Sequence, residues 1–282
     1  LLLFSLFFVS CRSKNKVEQP MIKDFDLLQR ANNDYTTIDL EHAEELAYRE
    51  LIDSIRYISL GDECGVMGNI ANIITYKGRF YIQEEQFDRV FIYDDTGRCL
   101  KKIDNKGRGP GEYLRIESID INTEKEELML VDGMSDKLFF YDLDGNFKSI
   151  HSIRYFQTEN TLCLRDSVFL HISAPSQNFG NEGLYGYALV LSKGNENFLK
   201  GYRYLPLQVG YKGGGQIFKG YERSCYHPIY SDTIYQILSD TTYGPIFYFK
   251  IKNSSWEKYH NSDRFVDIDG SEEGVFTLLY EN

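Results

Sequence analysis

The sequence predicts an all-β protein, a β-propeller, and two observations carry that prediction. The first is composition: aromatic residues make up 15% of the chain, with 22 Tyr and 19 Phe against one Trp, and this enrichment favours strands over helices. The second is an internal repeat, because residues 79–99 align without a gap on residues 127–147, 48 positions further on. A repeat of this period built from short strands is typical of a propeller blade.

Each copy of the repeat contains a strand, a polar loop, a second strand, a turn with glycine and the start of a third strand. The most apolar part, residues 90–94 (VFIYD), falls on residues 138–142 (LFFYD). Gly97 falls on Gly145, each after a residue that favours a tight hairpin turn. The pattern therefore predicts a meander of antiparallel strands in both copies.

Weaker copies of the repeat follow towards the C-terminus. Residues 166–173 and 185–202 predict strands of one blade separated by a longer loop, and residues 231–238 and 244–251 predict the next blade. At 48 residues per blade, residues 55–282 accommodate four to five blades. The chain begins without Met and ends after a strand-like segment, so we expect it to be incomplete at both ends.

The N-terminal residues predict export and lipid anchoring. Residues 1–9 form an apolar run that is too short to span a bilayer but suits a secretory signal. Ser10-Cys11 at its end resembles the lipobox of bacterial lipoproteins, in which Cys11 would carry the lipids that anchor the protein to a membrane. An ordinary signal peptide with an incidental cysteine is the alternative.

Three domains follow from this organisation. Residues 1–11 are predicted to be the signal peptide ending at the lipobox Cys11, residues 12–37 a polar tether, and residues 38–282 an incomplete propeller. Residues 41–51 are the best candidate for a short helix.

Net charge narrows the classes of partner. The formal charge is −11 and the pI is about 5.0, and such a surface repels the phosphates of nucleic acids. We therefore expect no nucleic-acid partner.

Four cysteines follow Cys11, namely Cys64, Cys99, Cys163 and Cys225, and none forms a C-x-x-C pair. An exported protein can oxidise such residues, but a chain of this size does not require disulfides. Buried free thiols are the expectation at all four positions.

The segment "NKGRGPGEYLRI", residues 105–116, poses the main question about a site. It lacks the Lys-Ser/Thr pair of a phosphate-binding loop, and an alternating strand pattern, residues 113–121, begins at its end, where such a loop needs a helix. We expect a structural connection between blades, with ligand contact as the alternative. Its glycines are expected to supply positive φ or close approach, and Arg108 and Glu112 to pair with each other or with nearby backbone. The residues concerned are Gly107, Arg108, Gly109, Pro110, Gly111, Glu112 and Tyr113.

Residues 53–60, 91–113 and 230–237 resemble segments of the six-bladed, NHL-like β-propeller lipoproteins of Bacteroidota, a family built on a domain of unknown function. The resemblance implies a six-bladed ring, of which four to five blades are present here. It also implies a bacterial cell-envelope location, periplasmic or surface-facing. Most members have no established activity, so the resemblance defines the fold better than the function.

Two groups of residues are candidates for ligand contact. Glu84 and Asp132 occupy the same repeat position and are candidates to face the central channel; solvated or turn-bonded carboxylates are the alternative. Residues 210–230 interrupt the blade pattern, and Tyr211, Tyr221 and Tyr226 are predicted to form a binding loop that stacks on sugars or peptide side chains. An irregular but inert insertion is the alternative there.

The function predicted from these features is binding or interaction. The ligand is unknown: a glycan, a peptide or another envelope protein each fits. The alternative is a metal-dependent enzyme that acts on a carbohydrate or lactone through the central channel. If the protein is a binding module, we expect no cofactor. Calcium in the central channel is the one cofactor considered as an alternative, and the sequence contains no metal-ligand motif. A structural scaffold is a third possibility and predicts a large apolar patch on an outer face.

Overall fold

A computed structural model describes most of the chain between residues 23 and 250. The described residues are 23–24, 26–27, 35–42, 52–153, 158, 160–165, 167–173, 187–194, 197–203, 215–219, 223–228, 231–237 and 242–250. The signal peptide with Cys11 and residues 43–51 of the predicted helix lie outside them.

Strands dominate the described residues, which otherwise contain one 3₁₀ turn, Leu40–His42. The strands are β1 (Lys23–Asp24), β2 (Asp26–Leu27), β3 (Thr36–Asp39), β4 (Ile70–Tyr76), β5 (Arg79–Glu84), β6 (Arg89–Asp94), β7 (Cys99–Ile103), β8 (Ser118–Asn122), β9 (Glu127–Asp132), β10 (Lys137–Asp142), β11 (Phe147–Ser152), β12 (Asn160–Arg165), β13 (Val168–Ile172), β14 (Tyr187–Lys193), β15 (Asn197–Arg203), β16 (Gln216–Lys219), β17 (Ser224–His227), β18 (Thr233–Ile237) and β19 (Thr242–Lys250). Among the described helical residues, no helix is long and apolar enough to cross a membrane.

The strands form four sheets, which are the blades of a β-propeller. Blade 1 is β4-β5-β6-β7, blade 2 is β8-β9-β10-β11, blade 3 is β12-β13-β14-β15 and blade 4 is β16-β17-β18-β19. Each is an antiparallel meander. The first strands of the blades, β4, β8, β12 and β16, lie next to one another and surround a common cavity. The predicted fold class is thus confirmed, with four blades in the described part of the chain.

The sequence repeat coincides with the blade structure. Strands β5 and β6 of blade 1 begin 48 residues before β9 and β10 of blade 2, and β7 begins 48 residues before β11. Gly97 and Gly145, which have φ of 89° and 80°, close the corresponding hairpins. The predicted meander of both copies is confirmed.

Successive residues along a strand point to opposite faces of the blade and pack against the blades on either side. The core of the protein therefore lies between the blades. Tyr81, Val90 and Ile92 of blade 1 pack with Leu128 and Phe139 of blade 2. The next positions in blade 2, including Met129 and Phe140, pack with blade 3 instead, and a third cluster joins blades 3 and 4. Each such side chain contributes about 1.5–3 kcal/mol by leaving water, so the blades stabilise one another.

Short N-terminal strands extend two of the blades. β1 pairs in parallel with β15, while β2 and β3 pair in parallel with β19. These pairs involve residues 23–24, 26–27 and 36–37, within the predicted tether. The domain boundaries themselves stay a prediction.

Residues 52–67, which we call the strap, cross the side of blade 1 that faces away from blade 2. Tyr93 donates a hydrogen bond to the carbonyl of Gly61 at 3.2 Å, and the amide of Gly61 donates to the carbonyl of Gly97 at 2.8 Å. Cys64 in the strap forms a disulfide with Cys99 of β7. The expectation of free thiols was therefore wrong for this pair, because the strap folds back over the blade. Cys163 and Cys225 are buried free thiols, as predicted.

Candidate functional site

The loop 105–113 joins blade 1 to blade 2 and folds back on itself. Its two ends meet, since the amide of Gly107 donates to the carbonyl of Tyr113 at 2.9 Å and the amide of Tyr113 donates to the carbonyl of Asn105 at 3.2 Å. The Glu112 carboxylate accepts a hydrogen bond from the amide of Gly109 at 2.6 Å. Glu112 thus binds nearby backbone, one of the two arrangements predicted for it.

The three glycines of this loop serve different needs. Gly111 has φ of 83°, a conformation that favours glycine. Gly107 and Gly109 lie against Glu112, and a Cβ on Gly109 would stand 3.1 Å from that carboxylate. Of these three glycines, Gly111 is therefore the one with positive φ, while Gly107 and Gly109 approach Glu112 closely, and both roles expected of the glycines occur in the loop.

Tyr113 anchors the loop in the core. Its side chain is fully buried and packs edge-to-face with Phe139 of blade 2, at 6.0 Å between ring centroids. Its hydroxyl donates to the carbonyl of Asp88 at 2.8 Å and accepts from the amide of Asn105 at 3.1 Å. Burial raises the pKa of Tyr113, so the hydroxyl stays protonated.

Arg108 and Pro110, in contrast, are exposed at the tip of the loop. Arg108 forms no ion pair within the part of the chain that the structure describes. The tip of the motif therefore lies in solvent, while Tyr113 lies in the core.

Residues 113–117 were predicted to begin a strand, but β8 begins only at Ser118. Side-chain hydrogen bonds replace strand pairing in this interval. The amide of Leu114 donates to Asp132 at 2.8 Å, and the amide of Ile116 donates to Asp88 at 3.1 Å. Carboxylates of two blades therefore bind the backbone of the segment that joins them.

Glu84 and Asp132, the candidate channel carboxylates, are the last residues of β5 and β9, where equivalent turns begin. Both are buried. Glu84 accepts hydrogen bonds from the amides of Gln86 and Phe87 at 3.0 and 3.3 Å. Asp132 accepts from the amides of Leu114, Met134 and Ser135 at 2.8–3.1 Å, and from the Ser135 hydroxyl at 2.6 Å. This is the turn-bonded geometry considered as the alternative, and neither residue lines the central cavity described below.

The central cavity is the space enclosed by β4, β8, β12 and β16, with a volume of about 820 Å³. Asn72, Asp120 and Asn160 supply polar groups from three blades, and Phe218 and Lys219 supply a ring and a cation from the fourth. This is the position predicted for the channel. Within the described residues there is no group of three His, Cys, Asp or Glu side chains able to hold a metal ion.

A charged pair joins the blades at the wall of the central cavity, where Asp120 is buried and Lys219 is accessible to solvent. The Lys219 ammonium donates to the carbonyls of Cys163 and Ile121 at 2.8 and 3.0 Å, and lies 3.5 Å from the Asp120 carboxylate. That carboxylate also accepts from the amide of Cys163 at 2.7 Å. Burial raises the pKa of Asp120, an effect that the charge of Lys219 opposes. The pair connects inner strands of blades 2, 3 and 4.

Sequence reasoning did not select Asp120 or Lys219, because they are 99 residues apart and belong to no motif. Their position on the inner strands β8 and β16 follows from the blade assignment alone. That these two residues form an ion pair could be recognised only from the arrangement of the blades in the ring.

Residues 210–230 were predicted to form a binding loop, but those of them that the structure describes are mostly strand. Residues 216–219 and 224–227 are β16 and β17, the first hairpin of blade 4. Tyr226 lies in β17, is fully buried and packs in the core between blades 3 and 4. Its ring is therefore not available for ligand stacking, because strand pairing turns it inward. Tyr211 and Tyr221 lie outside the described residues.

A buried polar group lies inside blade 3, on β12, β13 and β14. His171 is fully buried, with its Nδ1 2.9 Å from the Thr161 hydroxyl and its Nε2 2.7 Å from the Ser192 hydroxyl. Burial lowers the pKa of His171 to about 3. The ring is thus neutral at neutral pH, and its burial removes it from contact with any solute.

The fold and the cavity define a β-propeller with four described blades around a central space. The chain belongs to the family "Domain of unknown function (DUF4934)", whose model matches residues 35–281. A search of curated proteins found no match.

Among solved structures, a candidate exported protein from Bacteroides fragilis is similar in fold. It has a TM-score of 0.64 and 20% identity, and the match covers 76% of this chain and 60% of that one. This chain therefore spans less than two thirds of that protein. The resemblance to a Bacteroidota propeller family of unknown function is confirmed.

Two further structures are similar at lower scores, from which we draw no inference. A member of the duf4221 family from Bacteroides vulgatus has a TM-score of 0.41 and 9% identity, covering 63% of this chain and 57% of that one. BamB from Moraxella catarrhalis has a TM-score of 0.39 and 12% identity, covering 62% and 46%.

Proposed function

We propose that the protein is an envelope-anchored binding module that recognises its ligand in the central cavity. The observation that carries the proposal is the cavity of about 820 Å³ enclosed by the inner strands of four blades. Its volume lies within the roughly 300–1,000 Å³ of typical ligand sites. All four described blades contribute residues to the wall of this cavity, so it exists only when the blades are assembled into a ring.

The hydrogen bonds of the other candidate site residues also favour the cavity as the place where a ligand binds. Glu112, Glu84 and Asp132 bind backbone amides of their own turns and of the segment between blades 1 and 2. Carboxylates that accept hydrogen bonds from backbone amides position the backbone. The motif loop and the repeat turns are therefore better suited to holding the ring together than to binding a ligand. The candidate exported protein of B. fragilis supports an envelope location for the fold.

The test is a comparison of two tryptophan substitutions in blade 1. Ile73→Trp fills the cavity from β4, where Ile73 is 51% exposed; Leu100→Trp is the matched control on the outer strand β7, where Leu100 is 38% exposed. Full-length protein in detergent is immobilised and exposed to digested envelope polysaccharide, peptidoglycan fragments and tryptic envelope peptides. We expect a fraction that binds the wild type and Leu100→Trp but not Ile73→Trp. Fractions that bind all three equally would place recognition outside the cavity.

Anchoring through lipidated Cys11 is the second part of the proposal. The apolar run before Ser10-Cys11 in the sequence supports it. The test is detergent phase partitioning of the expressed protein. We expect the wild type in the detergent phase and exported Cys11→Ala in the aqueous phase, whereas exported Cys11→Ala that stays membrane-bound would contradict a lipid anchor.

Two finer predictions about the architecture and chemistry remain proposals. A six-bladed ring is tested by the structure of the full-length protein from the native gene. The metal-dependent enzyme is tested by metal analysis of protein purified without chelator, in which one bound calcium or transition ion per chain would favour it.

A further inference from the structure

We propose that the central cavity binds an uncharged carbohydrate; this inference rests on the proposed function and names the chemical class of the ligand. Three features of the cavity support this class: paired charges at its wall, polar side chains that line it, and apolar surface beside them.

The charges at the cavity wall are already neutralised within the protein. Lys219 is held by two backbone carbonyls and the Asp120 carboxylate. Lys77, the other lining cation, pairs with Glu126. A charged ligand would have to compete with these contacts, and the net charge of −11 adds repulsion for anions. The cavity therefore suits an uncharged ligand.

Amide and hydroxyl groups are what the wall offers to such a ligand. The Asn160 side-chain oxygen is buried and accepts no hydrogen bond within the described structure. A buried acceptor without a partner costs free energy, and a ligand hydroxyl would satisfy it once the Asn160 side chain turns towards the cavity that this residue lines. Asn72 and Thr75 also line the cavity and are exposed on β4. An asparagine both donates and accepts, which matches the hydroxyls of a sugar.

Apolar surface lies beside these polar groups. Phe218 of β16 is 42% exposed and Ile73 of β4 is 51% exposed, and both line the cavity. A sugar ring presents hydroxyls at its edge and C–H groups on its faces. A wall with amides next to an exposed ring is therefore complementary to a sugar, and less so to a fully apolar ligand.

The test is binding of full-length protein in detergent to a glycan array that carries neutral and acidic oligosaccharides. We expect neutral glycans to bind and acidic glycans to bind weakly or not at all. Asn160→Leu and Phe218→Ala are each expected to weaken binding about tenfold, the loss of one hydrogen bond or one ring contact. Phe147→Ala is the matched control, since Phe147 is 46% exposed on the outer strand β11, and it should bind like the wild type.

Two results would overturn the carbohydrate assignment: preference for acidic glycans, or neutral binding that neither cavity variant weakens. Because Asn160 is partly buried, its variant is also checked for folding, and Phe218→Ala keeps the test valid if that variant unfolds. If no glycan binds while Ile73→Trp still abolishes binding of a peptide fraction, the carbohydrate inference fails and the proposed function stands. If Ile73→Trp changes no binding at all, both fail.

Discussion

Replacement of Tyr113 tests whether the motif loop holds the blades together. Tyr113→Phe removes the hydroxyl that pairs with the carbonyl of Asp88 and the amide of Asn105. Leaving buried partners unsatisfied costs about 1–3 kcal/mol. Tyr113→Ala also removes the fully buried ring against Phe139, and we expect a total loss of about 3–5 kcal/mol, as for other buried aromatic residues.

The assay is urea denaturation followed by circular dichroism, with thermal unfolding as a second readout. For a domain of this size each kcal/mol lowers the melting temperature by about 2–4 °C. Arg108→Ala is the control, because Arg108 is exposed in the same loop and should change stability by less than about 0.5 kcal/mol. A Tyr113→Phe variant as stable as the wild type, or an Arg108→Ala variant that is the more destabilised of the two, would show that Tyr113 does not hold the blades together.

Three further predictions concern stability. The pKa of His171 is lowered from 6.5 to about 3 by burial, so the unfolded chain binds the proton more tightly. Stability should therefore fall as pH drops from 6.5 towards 3, by at most about 5 kcal/mol; urea midpoints of His171→Gln should depend less on pH, and an equal dependence would contradict this. Reduction of the Cys64–Cys99 disulfide, or the Cys64→Ser/Cys99→Ser variant, should cost about 4 kcal/mol for a sequence separation of 35, and melting temperatures unchanged by reductant would argue against the bond. Gly97→Ala should destabilise more than Gly78→Ala, because both have positive φ but only at Gly97 does the added Cβ meet the strap at Ser59; equal melting temperatures would mean that the strap does not lie there.

The blades were predictable from the sequence because their determinants are local. Alternating apolar residues and a hairpin glycine recur 48 positions apart, so aligning residues 79–99 with 127–147 located six strands correctly. The strand expected from Tyr113 was displaced to Ser118, since Asp88 and Asp132 bind the intervening amides. Such side-chain contacts between blades leave no periodic pattern in the sequence.

The candidate site was harder to predict, because it depends on residues brought together by the ring. Asp120, Asn160 and Lys219 come from three blades and meet only around the cavity. Glu84 and Asp132 were selected by repeat position, which identified equivalent turns correctly but gave no information on which way the carboxylates point. The Cys64–Cys99 disulfide was missed for a related reason: nothing in the composition of the strap indicates that it returns to β7.

The measurement that tests the account most directly compares Ile73→Trp with Arg108→Ala on the same glycan array and envelope fractions. Both residues are exposed, one in the central cavity and one at the tip of the motif loop. The account predicts that Arg108→Ala keeps the binding profile of the wild type and that Ile73→Trp loses it. If Arg108→Ala loses binding while Ile73→Trp keeps it, the loop is the recognition surface and the central claim is wrong.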